Sequence, residues 1–290
     1  MRALAPMSAA PSQARFPAAR AAGPGNIGRL ATQCLHLELA TSPTPGLVSH
    51  VDSGSHVDMD AETFRASARA LEPYFAELAA AGAAGAEMAR LRRIGLAAEA
   101  AMRAATGGVN THRGAIFGLG LLSAAAGALG PRPPAGGLGA HVRARYADAI
   151  LDGPELLHAP GARARRRHGV GGAPAEAAAG FPTLYGTGLP ALRRARALRP
   201  EAPEAARVEA CCALVAALED TNLLHRGGPD GFAFARAEAA RFLAAGGIAR
   251  DDWVARAETL HRAFVARRLS PGGAADLLAM TLFGDAWERS

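Results

Sequence analysis

The sequence predicts an all-α protein that folds as a single compact multi-helix domain, with glycine-rich interhelical loops forming one cleft. Alanine is abundant and β-branched residues are sparse, a balance that favours helices. Apolar residues recur at helical spacing, and no segment shows the apolar–polar alternation of a strand. Half of the 290 residues are hydrophobic, so the chain can bury a substantial core.

Residues 1–29 contain no acidic residue and are rich in Ala, Pro and Arg. This composition predicts a disordered N-terminal leader, followed by a helical domain over 30–290. No stretch reaches the roughly 18 unbroken apolar residues of a membrane span, so we expect no membrane association. The three cysteines form neither a metal-ligand spacing nor a disulfide framework, which fits a reducing cytoplasm.

All 32 basic residues are arginines, and the net charge is +6. A basic balance suits phosphate-bearing partners. No aromatic stacking pattern is interleaved with the arginines, so we favour a small phosphorylated molecule over nucleic acid. Arg163 and the arginines at 165–167 form the densest positive run, beside glycines at 169, 171 and 172. This run can hold a polyphosphate, or it can be a solvated face.

In the first half of the chain, a helix over 28–41 ends before Pro43 and Pro45. A polar loop over 46–60 separates it from an amphipathic helix that begins at 61. The apolar spacing resumes at Met88, breaks near 106–114 and continues in a second apolar helix. A Pro/Gly connector at 130–137 precedes a helix over about 139–151.

The second half begins with an irregular stretch over 161–188. A strongly apolar helix is predicted over 204–225, with Gly227 and Gly228 as its C-cap. Further helices cover about 232–245 and 252–268. The last helix starts with Ser270 as N-cap and a proline at the first helical position.

The break at 106–114 concentrates polar groups between two buried helices, which predicts a site for a small polar ligand. The polar and glycine residues of this break include Gly107, Gly108, Asn110, Thr111 and Arg113. The alternative is a tight turn in which Asn110 or Thr111 caps the next helix.

Acidic residues are concentrated in two places. The loop at 50–60 holds two histidines and three aspartates, a density typical of cation binding or acid–base chemistry. There, Asp58 or Asp60 can instead cap the following helix. Glu219 and Asp220 lie in an apolar segment, where a bound cation would offset their cost, and the alternative is a solvated helix end.

Gly272 and Gly273 leave the first-turn N–H groups of the last helix unshielded, which suits a phosphate. The alternative is a plain capped helix. Phosphate donors, acidic residues and the polar break together predict a protein that binds a metal–polyphosphate.

Several motifs resemble the triphosphoribosyl-dephospho-CoA synthase family over about residues 30–285. They are Pro45-Gly-Leu-Val48 with Gly54-Ser-His56-Val-Asp58, Ala105-Thr-Gly-Gly-Val-Asn-Thr-His-Arg-Gly-Ala-Ile-Phe117, Gly169-Val-x-Gly172 with Glu176 and Gly180-Phe-Pro182, Glu219-Asp-Thr-Asn222 with His225-Arg-Gly-Gly228, and Leu269-Ser-Pro-Gly-Gly-Ala-Ala-Asp-Leu-Leu278. The family often has lysine where Thr44 and Arg113 stand; Arg113 keeps the charge and Thr44 does not.

The resemblance implies an all-α transferase that moves the 5-triphosphoribosyl group of ATP onto the 2′-hydroxyl of 3′-dephospho-CoA and releases adenine. It implies ATP and 3′-dephospho-CoA as substrates, Mg²⁺ as cofactor, and transfer of the product to a carrier-protein transferase. The segment Leu47-Val-Ser-His50 is more similar to the malonate decarboxylase branch than to the citrate lyase branch. Whether the protein forms a homodimer stays open.

Residue roles follow as hypotheses from this chemistry. The predicted metal ligands are Asp58, Glu219 and Asp220. The predicted catalytic residues are His56, His112, Glu219 and Asp220, and the predicted substrate-binding residues are Gly107, Gly108, Asn110, Thr111, Arg113, Asn222, His225, Arg226, Ser270, Gly272 and Gly273. Two other functions stay open: a metal-dependent helical hydrolase of N-ribosyl or phosphate bonds, and a non-catalytic nucleotide-binding subunit.

Overall fold

The computed structural model describes residues 23–131, 134–154 and 159–289, and this part of the chain contains only helices and loops. The all-α prediction is confirmed. The helices are α1 (Pro24–Leu39), α2 (Ala61–Ala83), α3 (Met88–Ala105), α4 (Arg113–Leu129), α5 (Gly137–Leu151), α6 (Pro160–His168), α7 (Gly172–Ala178), α8 (Leu189–Leu198), α9 (Pro203–Ala217), α10 (Thr221–Ala244), α11 (Trp253–Ala266) and α12 (Gly272–Glu288). A π-helical turn, Leu184–Gly188, precedes α8, and a 3₁₀ turn, Gly247–Ala249, precedes α11.

Helix α1 begins six residues earlier than the predicted start of the domain at residue 30. Pro24 occupies its first turn, where a missing N–H costs nothing, and Ile27 is fully buried. Gly28 faces α2 so closely that a Cβ there would lie 2.8 Å from the carbonyl oxygen of Glu72. Residues 24–29 therefore belong to the folded domain. The rest of the predicted leader, residues 1–22, lies outside the described residues.

Helices α2 and α4 form the centre of the N-terminal half, and α2 also packs on α1 and α3. Their backbones touch: a Cβ on Gly82 would overlap the carbonyl of Ala124, and a Cβ on Gly127 would overlap that of Ala79. Only small residues permit this separation, which explains the alanine and glycine content of both helices. Helix α12 packs against α1, α4 and α9 and so connects the two halves of the domain.

The structure corrects the predicted secondary structure in two stretches of the second half of the chain. The stretch 161–188 is not irregular, since it contains α6, α7 and the π-helical turn. The predicted helix over 204–225 is two helices, because α9 ends at Ala217 and α10 begins at Thr221. Gly228 is a kink inside α10, with φ 61° and ψ −166°, and not a C-cap.

Residues at the N-cap position define where several helices begin. Asp60 caps α2 by accepting the N–H of Thr63 at 2.9 Å, as one of the two alternatives predicted. Pro271, not Ser270, is the N-cap of α12.

Among the described residues, no helix combines the length and the apolar character needed to cross a membrane.

Candidate active site

A cavity of about 890 Å³ lies where the N-termini of α4, α10 and α12 meet the end of α1. Each of the motifs quoted above contributes lining residues, although the motifs lie far apart in the sequence. The predicted site residues that line it are His56, Asn110, Thr111, His112, Arg113, Glu219, Asp220, Asn222, Arg226, Ser270, Gly272 and Gly273. The fold therefore gathers most of the predicted site in one place.

Four predicted site residues lie outside the cavity lining: Asp58, Gly107, Gly108 and His225. Gly107 and Gly108 are exposed, with φ 63° and 95°, and the N–H of Gly108 donates to Arg103 O at 2.7 Å. They turn the chain at the end of α3, a conformation that glycine adopts without strain. The structure gives these two glycines a role in the turn after α3, and their contact with a substrate stays a prediction.

Asp220 is buried and holds two helix N-termini together. Its Oδ1 accepts the N–H groups of Asn222 at 2.8 Å and Leu223 at 3.3 Å, capping α10. Its Oδ2 accepts the N–H of Ala274 at 3.0 Å in the first turn of α12. Burial raises the pKa of Asp220, while these backbone N–H groups lower it. The carboxylate therefore occupies the anion site that the sequence assigned to a phosphate at Gly272 and Gly273.

The predicted set of three metal ligands is not assembled. The Asp58 carboxylate is 61% exposed and lies 3.6 Å from Nδ1 of His56, while both oxygens of Asp220 accept backbone N–H groups. Across the described ranges, no group of three or more His, Cys, Asp or Glu side chains is arranged to hold a metal ion. Glu219 is exposed at the cavity and is the one predicted ligand whose carboxylate remains accessible there.

His56 and Ser270 form a hydrogen-bonded pair in the cavity wall, with Nε2 and Oγ 2.9 Å apart. Arg226 fastens the two loops that carry them: its guanidinium donates to Arg268 O at 2.9 Å and to Ser55 O at 2.6 Å. Burial, and then the charge of Arg226, lower the pKa of His56. A neutral imidazole in this position can accept a proton.

His112 is the N-cap of α4 and is 3% exposed. Its Nδ1 lies 2.7 Å from Ser67 Oγ, which in turn accepts the hydroxyl of Thr111 at 2.8 Å. The Ser67 proton is then directed to Nδ1, which leaves the ring proton on Nε2. Burial lowers the pKa of His112 to about 3, so the ring is neutral, and Nε2 has no hydrogen-bond partner in the described structure.

Four further carboxylates in the cavity lining were not assigned a role from the sequence: Glu38, Glu99, Glu176 and Asp276. Two of them, Glu38 at the end of α1 and Asp276 in α12, are neighbours. Asp276 lies against the first turn of α4, where a Cβ on Gly114 would overlap its Oδ2. Burial raises the pKa of Glu38 and of Asp276 to about 8. A neighbouring carboxylate raises each pKa further: Asp276 acts on Glu38, and Asp220 acts on Asp276. Glu38 shares a helix face with Cys34 and Leu35. An acidic residue on an apolar helix face is the feature of the sequence that could have identified Glu38 as a site residue.

The cavity wall also carries arginines from separate elements. Arg113 pairs with Glu99, with Nε and Oε2 3.3 Å apart. Arg92 donates to Ala149 O at 3.0 Å. Arg165, from the positive run on α6, lines the cavity beside Gly171 and Gly172, whereas the other arginines of that run do not. Guanidinium groups here can bind phosphate oxygens.

These features define a class of protein: an all-α protein with a cavity in which arginines, buried carboxylates and a neutral imidazole converge. Such a set suits group transfer from a phosphorylated ligand. The sequence model of the ATP:dephospho-CoA triphosphoribosyl transferase family matches residues 24–290. The chain belongs to this family and is therefore an enzyme, a transferase.

Curated relatives are similar over most of their length. A probable 2-(5″-triphosphoribosyl)-3′-dephosphocoenzyme-A synthase of Azotobacter vinelandii is 44% identical over 267 residues, covering 89% of this chain and 90% of the relative. One from Pseudomonas putida is 42% identical, covering 90% and 94%. The 2-(5″-triphosphoribosyl)-3′-dephosphocoenzyme-A synthase of Pectobacterium atrosepticum is 40% identical, covering 88% and 87%. No solved structure matches the chain.

Proposed function

We propose that this protein transfers the 5-triphosphoribosyl group of ATP to the 2′-hydroxyl of 3′-dephospho-CoA and releases adenine. The observation that carries this proposal is the cavity itself, because motifs between residues 45 and 278 all contribute residues to its lining. The family description supplies the substrates, ATP and dephospho-CoA, and the names of the relatives supply the product. The chemistry of the lining suits both substrates.

In the proposed reaction, the bond between C1′ of the ATP ribose and the adenine nitrogen breaks, and a bond from C1′ to the 2′-oxygen of the acceptor forms. The hydroxyl of the acceptor loses a proton, and adenine gains one. We assign the first proton transfer to His56, because its imidazole is neutral, lines the cavity and already lies 2.9 Å from a hydroxyl, that of Ser270.

Cleavage of an N-ribosyl bond develops positive charge on the ribose, and a nearby carboxylate stabilises that charge. Asp276 is our candidate for this role, with Glu38 beside it, because no arginine forms an ion pair with either of them in the part of the chain that the structure describes. Developing positive charge favours the ionised form of a carboxylate whose pKa burial has raised.

His112 contributes differently from His56. With a pKa of about 3 it does not supply an imidazolium at neutral pH. We propose that its unpartnered Nε2–H donates a hydrogen bond to a substrate oxygen or nitrogen, which would satisfy a group that is costly to bury alone.

The triphosphate of ATP requires compensation of its charge. We propose that Arg113 and Arg165 bind phosphate oxygens, and that Mg²⁺ enters bound to the triphosphate. Magnesium is often held by one or two carboxylates plus substrate phosphates, which suits Glu219 as the accessible ligand. Asn222, on α10 beside the cavity, is proposed as a polar substrate contact.

We further propose that the product serves the acyl carrier subunit of malonate decarboxylase, and that the enzyme works in the cytoplasm. The segment Leu47-Val-Ser-His50 supports the first point, and three free, buried cysteines support the second. Incubating the product with the matching carrier-protein transferase and the apo carrier of either decarboxylase or lyase would distinguish the branches.

The test combines ATP, 3′-dephospho-CoA and Mg²⁺ with the purified protein and follows adenine and the new product by mass spectrometry. His56→Ala should lower kcat/KM by about 10²–10⁴-fold, the usual contribution of a general base. His225→Ala is the matched control, since His225 is exposed and outside the lining. Adenine released without acceptor would instead indicate a hydrolase, and ATP binding without turnover would overturn the proposal.

A further inference from the structure

The residues that line the cavity fall into two chemically different sets, which we call its polar arm and its apolar arm. One is the polar arm described above, at the N-terminus of α4. The other runs between α2, α3, α4 and α5 and is lined by large apolar side chains, all of them buried: Leu78, Met88, Leu91, Leu121 and Ile150. The reaction centre assigned above uses none of these residues.

The two arms lie along one face of α4. Gly114 and Gly118 face the polar arm and α12, and Leu121, seven residues after Gly114, faces the apolar arm. At about 1.5 Å per residue, this places the arms about 10 Å apart along the helix. Leu96 and Leu151, which are 53% and 61% exposed, also line the cavity, so the apolar arm opens to solvent between α3 and α5.

We infer that the apolar arm binds the pantetheine chain of the acceptor, with its thiol end towards Leu96 and Leu151. The inference rests on the proposed function. Dephospho-CoA joins a nucleotide, which must lie at the reaction centre, to a long chain of methylene, dimethyl and amide groups. ATP has no such part. Burying that chain against leucine and methionine gains about 25 cal/mol per Å² of apolar surface.

Gly95 provides a way to fill this arm without disturbing the fold. It lies in the middle of α3 and lines the cavity, and a Cβ there would meet no atom within 4 Å. Gly95→Leu adds bulk to the arm, and leucine favours a helix interior more than glycine does. Ala97→Leu is the matched control, because Ala97 lies exposed on the same helix and outside the lining.

The experiment measures binding by calorimetry, with dephospho-CoA and ADP as probes, since ADP lacks the pantetheine chain. The unaltered protein should bind dephospho-CoA at least tenfold more tightly than ADP. Gly95→Leu should reduce that difference to within about twofold by weakening dephospho-CoA alone, with Gly95→Ala intermediate. Ala97→Leu should keep the full difference. Thermal melting of each variant establishes that it is folded.

Equal affinities for the two probes in the unaltered protein would overturn the inference. So would a Gly95→Leu variant that weakens both probes equally, or neither. Binding is measured without turnover, so the two proposals fail separately. Binding that depends on the pantetheine chain, without adenine release, would contradict the proposed function and still support the pantetheine-binding site.

Discussion

Asp220 Oδ2 accepts the backbone N–H of Ala274 at 3.0 Å, so one carboxylate at the start of α10 also holds the start of α12. The same side chain caps its own helix through Oδ1. The relationship joins two motifs that are about fifty residues apart in the sequence. It makes Asp220 a residue that positions the cavity wall, whereas its neighbour Glu219 is free to contact ligand.

Asp220→Ala should lower the free energy of unfolding by about 1–4 kcal/mol, because two caps of about 0.5–2 kcal/mol each are lost. Glu219→Ala should change it by less than about 0.5 kcal/mol, since Glu219 is exposed, yet should reduce turnover. Urea unfolding and adenine release separate the two effects. An Asp220→Ala protein of unchanged stability would contradict the capping role.

The turn after α3 offers a second comparison. Gly107→Ala should cost about 1–2 kcal/mol of stability, because its φ of 63° strains a side-chain-bearing residue. Its activity should stay within about twofold, since Gly107 does not line the cavity. Gly272→Ala is the counterpart inside the lining, where a Cβ would lie 2.7 Å from Asn222 Nδ2 and displace that amide. There we expect KM for a substrate to rise; loss of activity in Gly107→Ala would restore the substrate role predicted from the sequence.

Gly118 faces Met280 across the contact between α4 and α12, and a Cβ on Gly118 would overlap the Met280 sulfur. Gly118→Ala should destabilise the protein by about 1–3 kcal/mol through overpacking. The double variant with Met280→Ala should recover part of that loss, since the second change removes the atoms in conflict. Denaturant unfolding of both single variants and the double variant gives the coupling, and strictly additive losses would argue against the contact.

Glu38 predicts a specific dependence of stability on pH. Its pKa of about 8 in the folded protein exceeds the ordinary value of 4.5, because it is buried beside Asp276. The folded state therefore binds more protons, and stability is lost as the pH rises from about 4.5 to about 8, by up to about 1.4 kcal/mol per pH unit.

Glu38→Gln should make that slope shallower, with Asp276, whose pKa is also about 8, carrying the remainder, and unfolding by urea at pH 5.5 and pH 8.5 measures it. Glu77→Gln, exposed on α2, is the control and should keep the slope of the unaltered protein. If Glu38→Gln leaves the difference between the two pH values unchanged, another group carries the dependence.

Much of the site could be predicted from short motifs. His56, Arg113, Asn222 and Ser270 lie in the motifs that carry the family resemblance, and all four line the cavity. The failures at carboxylates have a common cause. A carboxylate near a helix end looks the same in sequence whether it caps backbone N–H groups, as Asp220 does, or remains available to a ligand.

The sequence by itself determined the all-α class and most of the helices, because periodic apolar residues and helix caps act over three or four neighbouring positions. It also determined the family, because the motifs that resemble the family are short stretches of consecutive residues. Only the tertiary structure decided that Gly107 turns outward, that Asp276 meets Gly114, and that an apolar arm extends from the polar one. Those facts depend on which faces of distant helices meet, and no local interaction specifies that.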